Sequence, residues 1–319
     1  MATQKEIYLK RPVEYTLKPP FPHNILVELN NTCNHNCIFC RHDKMKRKIR
    51  ECDRDFTLDL IKQAHDNGSR EIGFAMMCEP LMKKDLVDYI SYCKKLGYEY
   101  IYLTSNGVLA TLDRMKELIN AGLSSIKISI NAATRESYLK VHGKDDFLRV
   151  KDNVQNLHKY INKNSIDFAV FLSFVKTTIT QNEISLFEKE FIDLVEKIYF
   201  FDAVTVGNPM MELIENKIVD PKTYLTPGNE LCEIVFNRIH ITAEGYLNAC
   251  CLDFDNVLYA VDLHKMSLAD AWHSDIMQKL RKRFLEKNLK GVVCHNCIHK
   301  VVEPFEPLNK ELSDVVNNS

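Results

Sequence analysis

Short apolar runs rich in β-branched residues alternate with longer amphipathic stretches from residue 24 to about residue 207. The longer stretches repeat their apolar residues with the period of a helix, whereas the short runs are almost continuously apolar. Six runs predict strands: NILVEL, REIGFAM, YEYIYLT, SSIKISI, DFAVFLSFV and DAVTVG. Parallel strands that are buried on both faces have such sequences, and helices make the crossovers between them. The pattern therefore predicts an α/β fold with a parallel sheet.

Six βα units are fewer than the eight of a closed barrel. An open, partial (βα)6 TIM-like barrel and a doubly wound sheet are therefore the two candidate architectures. In the first predicted helix, Thr57 is the expected N-cap and Gly68 the stop signal.

The pattern changes after Gly207, where turn residues replace sustained periodicity. Farther along, a hairpin pattern centred on Glu244 and Gly245 precedes one long helical stretch and a final pair of cysteines, which predicts a second, smaller domain. We expect five segments: an N-terminal extension (1–23), the barrel (24–207), a linker (208–230), the small domain (231–303) and a C-terminal tail (304–319). The polar end of that tail, residues 311–319, should be frayed.

Composition and charge exclude several classes of function. The chain has 42 basic and 43 acidic residues, so it has no general field for nucleic acid or an anionic membrane. Its start lacks the apolar run of a signal peptide, and no stretch approaches the ~18 apolar residues of a membrane helix. We expect a cytoplasmic protein. The basic run 41–51 predicts a solvated loop that could contact an anionic substrate, and 281–287 predicts the solvent-facing side of a helix.

The chain has 11 cysteines, and in a reducing compartment clustered cysteines indicate metal sites or catalysis more often than disulfides. Cys33, Cys37 and Cys40 follow the first predicted strand, at the carboxyl end where parallel sheets build their sites. His35 or His42 could complete a zinc site. Alternatively, three thiolates hold an iron–sulfur cluster and leave one iron free for a ligand.

A second group of cysteines lies in the small domain. It consists of Cys232, Cys250, Cys294 and Cys297, and four thiolates are the number that closes a structural metal site. By spacing alone, zinc and an iron–sulfur cluster fit equally well. Cys251 could replace Cys250 as a ligand, although the Gly-x4-Cys spacing favours Cys250.

The first motif, Cys33-x3-Cys37-x2-Cys40 with Phe39 before the last cysteine, resembles the signature of the radical S-adenosylmethionine enzymes. That resemblance implies a partial barrel of six βα units. It also implies a four-iron cluster whose open iron binds S-adenosylmethionine, and whose electron cleaves it to a 5′-deoxyadenosyl radical that abstracts hydrogen from substrate. A flavodoxin or ferredoxin would be the reductant.

Further segments resemble the same family. AMMCEP resembles its Gly-Gly-Glu stretch with both glycines replaced, TSNG resembles its Thr-Asn-Gly segment, and SINAATRESYLKVHG resembles its SIDGAT…Y…RG pattern. The resemblance implies that the cofactor is contacted by six residues: Phe39, Glu79, Ser105, Asn106, Ser129 and Asn131.

The second cysteine group resembles the auxiliary-cluster domain that follows many of these barrels. The short form of that domain, called twitch, holds one auxiliary four-iron cluster, and the longer form, called SPASM, holds two. No cysteine follows Cys297, so the resemblance implies one auxiliary cluster and two four-iron clusters in all. Cys78 and Cys251 are candidate donors of a hydrogen atom to a substrate radical.

The layout resembles that of a dehydrogenase group acting on aminocyclitols. It implies an enzyme that oxidises or epimerises a small polar substrate, a sugar or an aminocyclitol, with the auxiliary cluster as electron relay. Two alternatives remain. One is a maturase that modifies a peptide or protein. Such enzymes commonly have a peptide-binding domain before the barrel, whereas only about 23 residues precede the first predicted strand here. The other is a non-catalytic binding module stabilised by zinc. The sequence identifies no substrate and no catalytic base.

Overall fold

The computed structural model describes residues 12–40, 42–203, 213–219, 231–253, 257–299, 301 and 303–312. Nine strands form the sheet: β1 (Asn24–Val27), β2 (Glu71–Phe74), β3 (Tyr100–Ser105), β4 (Ser125–Ser129), β5 (Ala169–Lys176), β6 (Lys197–Asp202), β7 (Arg238–Ile241), β8 (Tyr246–Asn248) and β9 (Tyr259–Asp262). Six helices accompany the first six strands: α1 (Arg54–Asp66), α2 (Leu86–Leu96), α3 (Leu112–Ala121), α4 (Arg135–His142), α5 (Phe147–Asn164) and α6 (Ile184–Phe191).

Four more helices belong to the C-terminal part: α7 (Ile234–Asn237), α8 (Leu268–Trp272), α9 (Asp275–Leu285) and α10 (Val293–His299). Short 3-10 turns cover His42–Lys44, Pro80–Met82, Gln181–Glu183 and Ile192–Leu194. Each of the described helices is too short or too polar to span a bilayer.

Strands β1 to β6 lie side by side in chain order and are parallel throughout. Helices between them cover the outer face, where Ile126 and Ile128 of β4 belong to the main apolar core. The sheet ends at β6 on one side and does not close on itself. The predicted partial α/β barrel is therefore confirmed.

The sixth strand lies earlier in the chain than predicted. DAVTVG was the expected strand, whereas β6 covers Lys197–Asp202 and residues 204–207 are outside the described part of the chain. Helix α6 ends at Phe191, and the following stretch KIYFFD contains the aromatic and β-branched residues that suit a strand. Of the expected linker, only residues 213–219 are described.

The second domain shares its sheet with the barrel. Strand β7 pairs in parallel with β1, so that Asn24 lies beside Arg238. Strands β8 and β9 then extend the sheet in antiparallel fashion. The predicted hairpin is confirmed at Glu244 and Gly245, and Gly245 has φ +82, a left-handed conformation that favours glycine.

Helix α1 begins earlier than Thr57. Asp53 is its N-cap, and the Asp53 carboxylate accepts a hydrogen bond of 2.9 Å from the backbone N–H of Phe56. Thr57 lies inside the helix and is buried. A carboxylate at the N-cap satisfies one of the free N–H groups and interacts favourably with the helix dipole, so Asp53 outcompetes Thr57.

Both basic runs contain a buried arginine, contrary to expectation. Arg47 is 3% exposed and Arg281 is 0% exposed. The guanidinium of Arg47 donates to the carboxylates of Glu28 and Glu244, including a bond of 2.6 Å from Nη2 to Glu244 Oε2. Arg281 lies 3.9 Å from the ring centre of Trp272 and donates to backbone carbonyls. A buried cation needs such partners, and one-dimensional charge patterns do not reveal them.

Both ends of the described chain pack on the C-terminal part. Near the N-terminus, the carbonyl of Leu17 accepts a bond of 3.2 Å from Arg281 Nη1. At the other end, the N–H of Leu308 donates to Val257 O at 2.7 Å, and Leu312 is 7% exposed. The segment up to Leu312 is therefore docked, and residues 313–319, where fraying was expected, lie outside the described residues.

We predict that Arg47→Met lowers the free energy of unfolding by about 3–5 kcal/mol, because it leaves Glu28 and Glu244 buried without their cation. Urea unfolding followed by circular dichroism measures this change. Arg135→Met is the matched control, since Arg135 pairs with Asp145 at the surface and its loss should cost far less. Equal losses in the two variants would contradict the assignment.

Candidate functional site: two groups of cysteines around an open barrel

The three cysteines of the first motif lie in the loop after β1 and interact with one another. The backbone N–H of Cys40 donates to Cys37 O at 3.0 Å. Burial raises the pKa of Cys37, and the neighbouring thiols of Cys40 and Cys33 raise it further. The pKa of Cys40 is raised to about 12, mainly by burial and secondly by the neighbouring Cys33 thiol. Thiols that oppose one another's ionisation in this way are suited to a metal centre, whose positive charge stabilises all three thiolates.

The histidines near this loop do not complete a zinc site with the three cysteines. His42 Nε2 lies 3.0 Å from the carbonyl of Asn31. Among the described residues, one set of three metal-binding side chains has all its ligand atoms within 4.8 Å of one another, and it joins Cys37 to His35 and His142. The three cysteine sulfurs are therefore spread more widely than the ligands of one zinc ion, which lie roughly 4 Å apart at Zn–S distances of about 2.3 Å. A larger iron–sulfur cluster suits that spread.

His142 is a contact of this site that the sequence did not reveal. Its Nδ1 lies 3.2 Å from Cys37 Sγ, and its Nε2 lies 2.7 Å from the carbonyl of Ile130. A carbonyl only accepts, so Nε2 carries the hydrogen. Burial lowers the pKa of His142 to about 3, which keeps the ring neutral. Its Nδ1 then accepts from the thiol and orients Cys37. The one available signal was the position of His142 at the arginine of the Y…RG pattern.

Glu79 connects the second and third strands to the cysteine loop. Its carboxylate accepts from Ser105 Oγ at 2.8 Å, from the Asn106 N–H at 2.7 Å and from the Leu81 N–H at 3.0 Å. The side chain of Asn106 lies 3.9 Å from Cys33 Sγ. Burial raises the pKa of Glu79 to about 7, so both protonation states are populated near neutral pH. Three residues predicted to contact the cofactor thus form one hydrogen-bonded unit beside the cysteines.

The turn before Glu79 lacks the glycines of the family pattern, yet it contains one left-handed residue. Met76 has φ 104. A non-glycine residue in that conformation is strained and tends to occur at functional sites. The left-handed residue is therefore Met76, directly before the pair Met77 and Cys78 that replaces the glycines.

Ser129 and Asn131 lie at the end of β4 and join it to β5. Ser129 Oγ is 2.9 Å from Ser173 Oγ, and Asn131 Oδ1 accepts from the N–H of Val175 at 2.9 Å. Phe39 packs on a separate apolar cluster that includes Leu213. All three residues lie near the carboxyl ends of the strands or in the cysteine loop, and their contact with the cofactor stays a prediction.

The cysteines of the second group come from three segments and meet. Burial raises the pKa of Cys294, and the thiols of Cys232 and Cys297 raise it further. Cys294 and Cys297 are three residues apart on α10 and so share one helix face. A hydrogen bond that the Cys250 thiol donates to Cys251 is the largest cause that raises the pKa of Cys250, followed by burial, and Cys232 raises it as well. The structure therefore brings all four predicted ligands together with Cys251 as a fifth thiol.

The two candidate hydrogen-atom donors have different surroundings. Cys78 Sγ donates to the carbonyl of Ala75 at 3.6 Å. Cys251 interacts with Cys250 and with His240 of β7. No contact distinguishes either thiol as a donor, and that role stays a prediction for both.

A profile of the radical SAM superfamily matches residues 27–176. The chain therefore contains a radical SAM domain. The match runs from the last residue of β1 to the end of β5 and includes the first cysteine motif, and such enzymes use S-adenosylmethionine with a four-iron cluster. A second profile, the SPASM iron–sulfur cluster-binding domain, matches residues 232–298, which include the four auxiliary cysteines. This radical SAM enzyme therefore has an auxiliary iron–sulfur domain, and the hypothesis of a zinc-stabilised binding module is wrong.

The chain is similar to several known proteins over most of its length. It is 26% identical to a "Probable GTP 3',8-cyclase" of Saccharolobus solfataricus over 292 residues, which are 82% of this chain and 91% of that protein. The fold is similar to that of BtrN in complex with AdoMet and 2-DOIA, with TM-score 0.58, 18% identity and coverage of 87% of this chain and 91% of BtrN.

The fold is also similar to that of Streptococcus suis SuiB bound to the precursor peptide SuiA. The TM-score is 0.66 at 14% identity, and the match covers 82% of this chain and 67% of SuiB. At these identities the two solved structures establish the fold and not the reaction.

We predict that the two cysteine groups hold separate clusters. Anaerobically reconstituted protein should contain about eight irons per chain, as expected for two four-iron clusters. Cys37→Ala should reduce this to about four and abolish cleavage of S-adenosylmethionine, whereas Cys294→Ala should reduce it to about four and leave cleavage intact.

Cys93→Ala is the matched control, because Cys93 is buried inside helix α2 and belongs to neither group. Iron analysis and chromatographic detection of 5′-deoxyadenosine provide the readouts. Full iron content in Cys37→Ala, or loss of iron in Cys93→Ala, would contradict the ligand assignment.

Proposed function

We propose that this radical SAM enzyme oxidises a secondary alcohol of a small polar molecule, such as a sugar or an aminocyclitol, to a ketone. The substrate loses a hydrogen atom from the carbinol carbon, a proton from the hydroxyl group and one electron. These three losses balance the conversion of the alcohol to the carbonyl. We expect a flavodoxin or a ferredoxin to supply the reducing electron for the first cluster.

The residues present fit the two groups that this chemistry needs. Three cysteines suit a cluster with one open iron, and four suit a closed auxiliary cluster. When bound, the first cluster and S-adenosylmethionine supply the radical that removes the hydrogen atom, and the auxiliary cluster accepts the remaining electron. Within the chain, Glu79 fixes Ser105 and Asn106 beside Cys33, which would orient the cofactor at the carboxyl ends of the strands.

One observation carries the proposal: Cys251, the neighbour of the auxiliary ligand Cys250, lies close to the interior of the barrel. Burial lowers the pKa of Lys127, on the inner face of β4, and a thiolate at Cys251 opposes that lowering, so the two side chains are near each other. A molecule inside the barrel would therefore lie between the two cysteine groups. That arrangement suits a substrate that gives up a hydrogen atom on one side and an electron on the other.

The comparisons favour two small-molecule reactions. BtrN was solved with AdoMet and 2-DOIA, and the likeness covers nearly all of both chains. A ring closure on a nucleotide is the second candidate, because the match to the relative named probable GTP 3',8-cyclase covers 91% of that protein. Epimerisation would require Cys78 or Cys251 to return a hydrogen atom. A peptide substrate also has support, from the likeness to SuiB bound to the precursor peptide SuiA and to anSMEcpe bound to the Cp18Cys peptide.

We predict that reconstituted enzyme, reduced with dithionite, forms 5′-deoxyadenosine from S-adenosylmethionine. With a panel of aminocyclitols and sugars deuterated at the carbinol carbons, deuterium should appear in 5′-deoxyadenosine and the product should be lighter by one deuterium and one hydrogen. Mass spectrometry of both products measures this. Cys294→Ala separates the steps, because it should still cleave S-adenosylmethionine but not release the oxidised product.

GTP is included as a separate arm, since a product of unchanged mass from GTP would favour ring closure over oxidation. A cyclitol product in which one deuterium is replaced by hydrogen, with no further loss of mass, would favour epimerisation. Absence of 5′-deoxyadenosine in every arm would contradict the proposed function altogether.

A further inference from the structure

Strands β4 to β6 turn one set of side chains towards the barrel interior. Ile128 of β4 faces the helices, because a methyl group built on Gly107 would lie 2.6 Å from Ile128 and 3.0 Å from Val150 of α5. Side chains alternate along a strand, so Lys127 and Ser129 point to the opposite, inner face. Phe174 of β5 also faces the outer helices, because its ring packs on that of Phe187 in α6.

The aromatic residues between those outward positions therefore face inward. Phe200 of β6 packs on Phe174 at the outer face, so Tyr199 and Phe201 are on the inner face. Phe171 of β5 lies 5.9 Å from Tyr199, and Tyr199 stacks on Phe201 with ring centres 6.2 Å apart. Phe201 is 43% exposed. These three rings form a shelf, which we call the aromatic shelf, that the described residues leave open.

The opposite half of the interior is filled. A Cβ added to Gly73 of β2 would lie 2.4 Å from the ring of Tyr102 and 2.6 Å from the side chain of Leu26. Below them, Asn24 donates to Glu71 at 3.1 Å and accepts from Tyr102 at 3.0 Å. Space for a ligand therefore remains on the β4 to β6 side of the barrel.

Lys127 lies on this open side without a carboxylate partner among the described residues. Within the described residues, no carboxylate lies within the 4.0 Å that defines an ion pair with its ammonium group. Its Nζ lies 5.6 Å from the ring centre of Phe201. Burial lowers its pKa, a thiolate at Cys251 opposes that lowering, and the nearby Arg238 adds to it. By contrast, Lys176 on the same sheet pairs with Asp202 at 2.7 Å. A partly buried ammonium group that has no carboxylate partner among the described residues favours an anionic ligand.

We propose that the β4 to β6 side of the barrel is a subsite for an anionic group of the substrate, a carboxylate or a phosphate, with Lys127 as its charge partner and the aromatic shelf against the carbon skeleton. The inference rests on the proposed function, because it places the substrate in the same interior. Ring faces offer apolar contact to the C–H groups of a sugar, cyclitol or nucleoside. Ser129 and Ser173, which share a hydrogen bond of 2.9 Å, add hydroxyl groups at the mouth.

The experiment compares neutral and anionic members of matched pairs. Isothermal titration calorimetry on anaerobically reconstituted enzyme measures the dissociation constants of glucose, glucuronate and glucose 6-phosphate, and of guanosine and GTP. We expect at least one anionic member to bind about tenfold or more tightly than its neutral partner. The glucuronate and phosphate arms distinguish which anion is preferred. Lys127→Met should abolish the preference and leave binding of the neutral partner unchanged, whereas Lys127→Arg should retain part of it.

Lys116→Met is the matched control, because Lys116 also lies over an aromatic ring, 5.4 Å from that of Tyr160, but on an outer helix. The Lys116→Met variant should prefer the anionic member of each pair as strongly as the wild type does. Iron content and dithionite-driven formation of 5′-deoxyadenosine, measured in the same preparations, report the proposed function separately and show that each variant is folded. Equal binding, or no binding, of both members of every pair would overturn the subsite, as would a preference that survives in Lys127→Met. Loss of S-adenosylmethionine cleavage in the wild type would overturn the proposed function instead.

Discussion

A buried ion network fastens the two halves of this enzyme together. Arg47 comes from the loop that follows the first cysteine motif, Glu28 from the end of β1, and Glu244 from the β7–β8 hairpin of the auxiliary domain. Glu28 also accepts from the backbone N–H groups of Met77 and Ala243. Since each member needs the others to remain satisfied away from water, the cysteine loop, the barrel and the auxiliary domain are held in one arrangement.

The pairing of β7 with β1 has a chemical consequence. It continues the barrel sheet into the auxiliary domain, so that the loop of the first cysteine motif follows β1 and Cys250 follows β8 in one continuous sheet. The interior then has a cysteine group at its mouth, near Glu79 and Asn106, and another across from Lys127. Rigid positioning of this kind suits an enzyme whose substrate radical must be oxidised before it reacts elsewhere.

Local chemistry determined what could be predicted from the sequence. Five of the six strands were found because buried parallel strands have continuous apolar runs, and the cysteine groups were found because metal binding requires fixed spacings. The sixth strand was misplaced because both KIYFFD and DAVTVG have strand-forming residues. The roles of Arg47, His142 and Lys127 depend on partners distant in the chain, such as Glu244 for Arg47 and Cys37 for His142. A pattern in one dimension cannot show which charges meet inside a fold.

The proposed chemistry depends most directly on two iron sites that face one barrel interior. Anomalous diffraction at the iron edge, on crystals of the anaerobically reconstituted enzyme, locates both sites in a single measurement. We predict one four-iron peak bounded by Cys33, Cys37 and Cys40, and a second bounded by the auxiliary cysteines, with Lys127 in the space between the peaks. A single iron peak, a zinc edge at either group, or a histidine ligand on the open iron of the first cluster would contradict it.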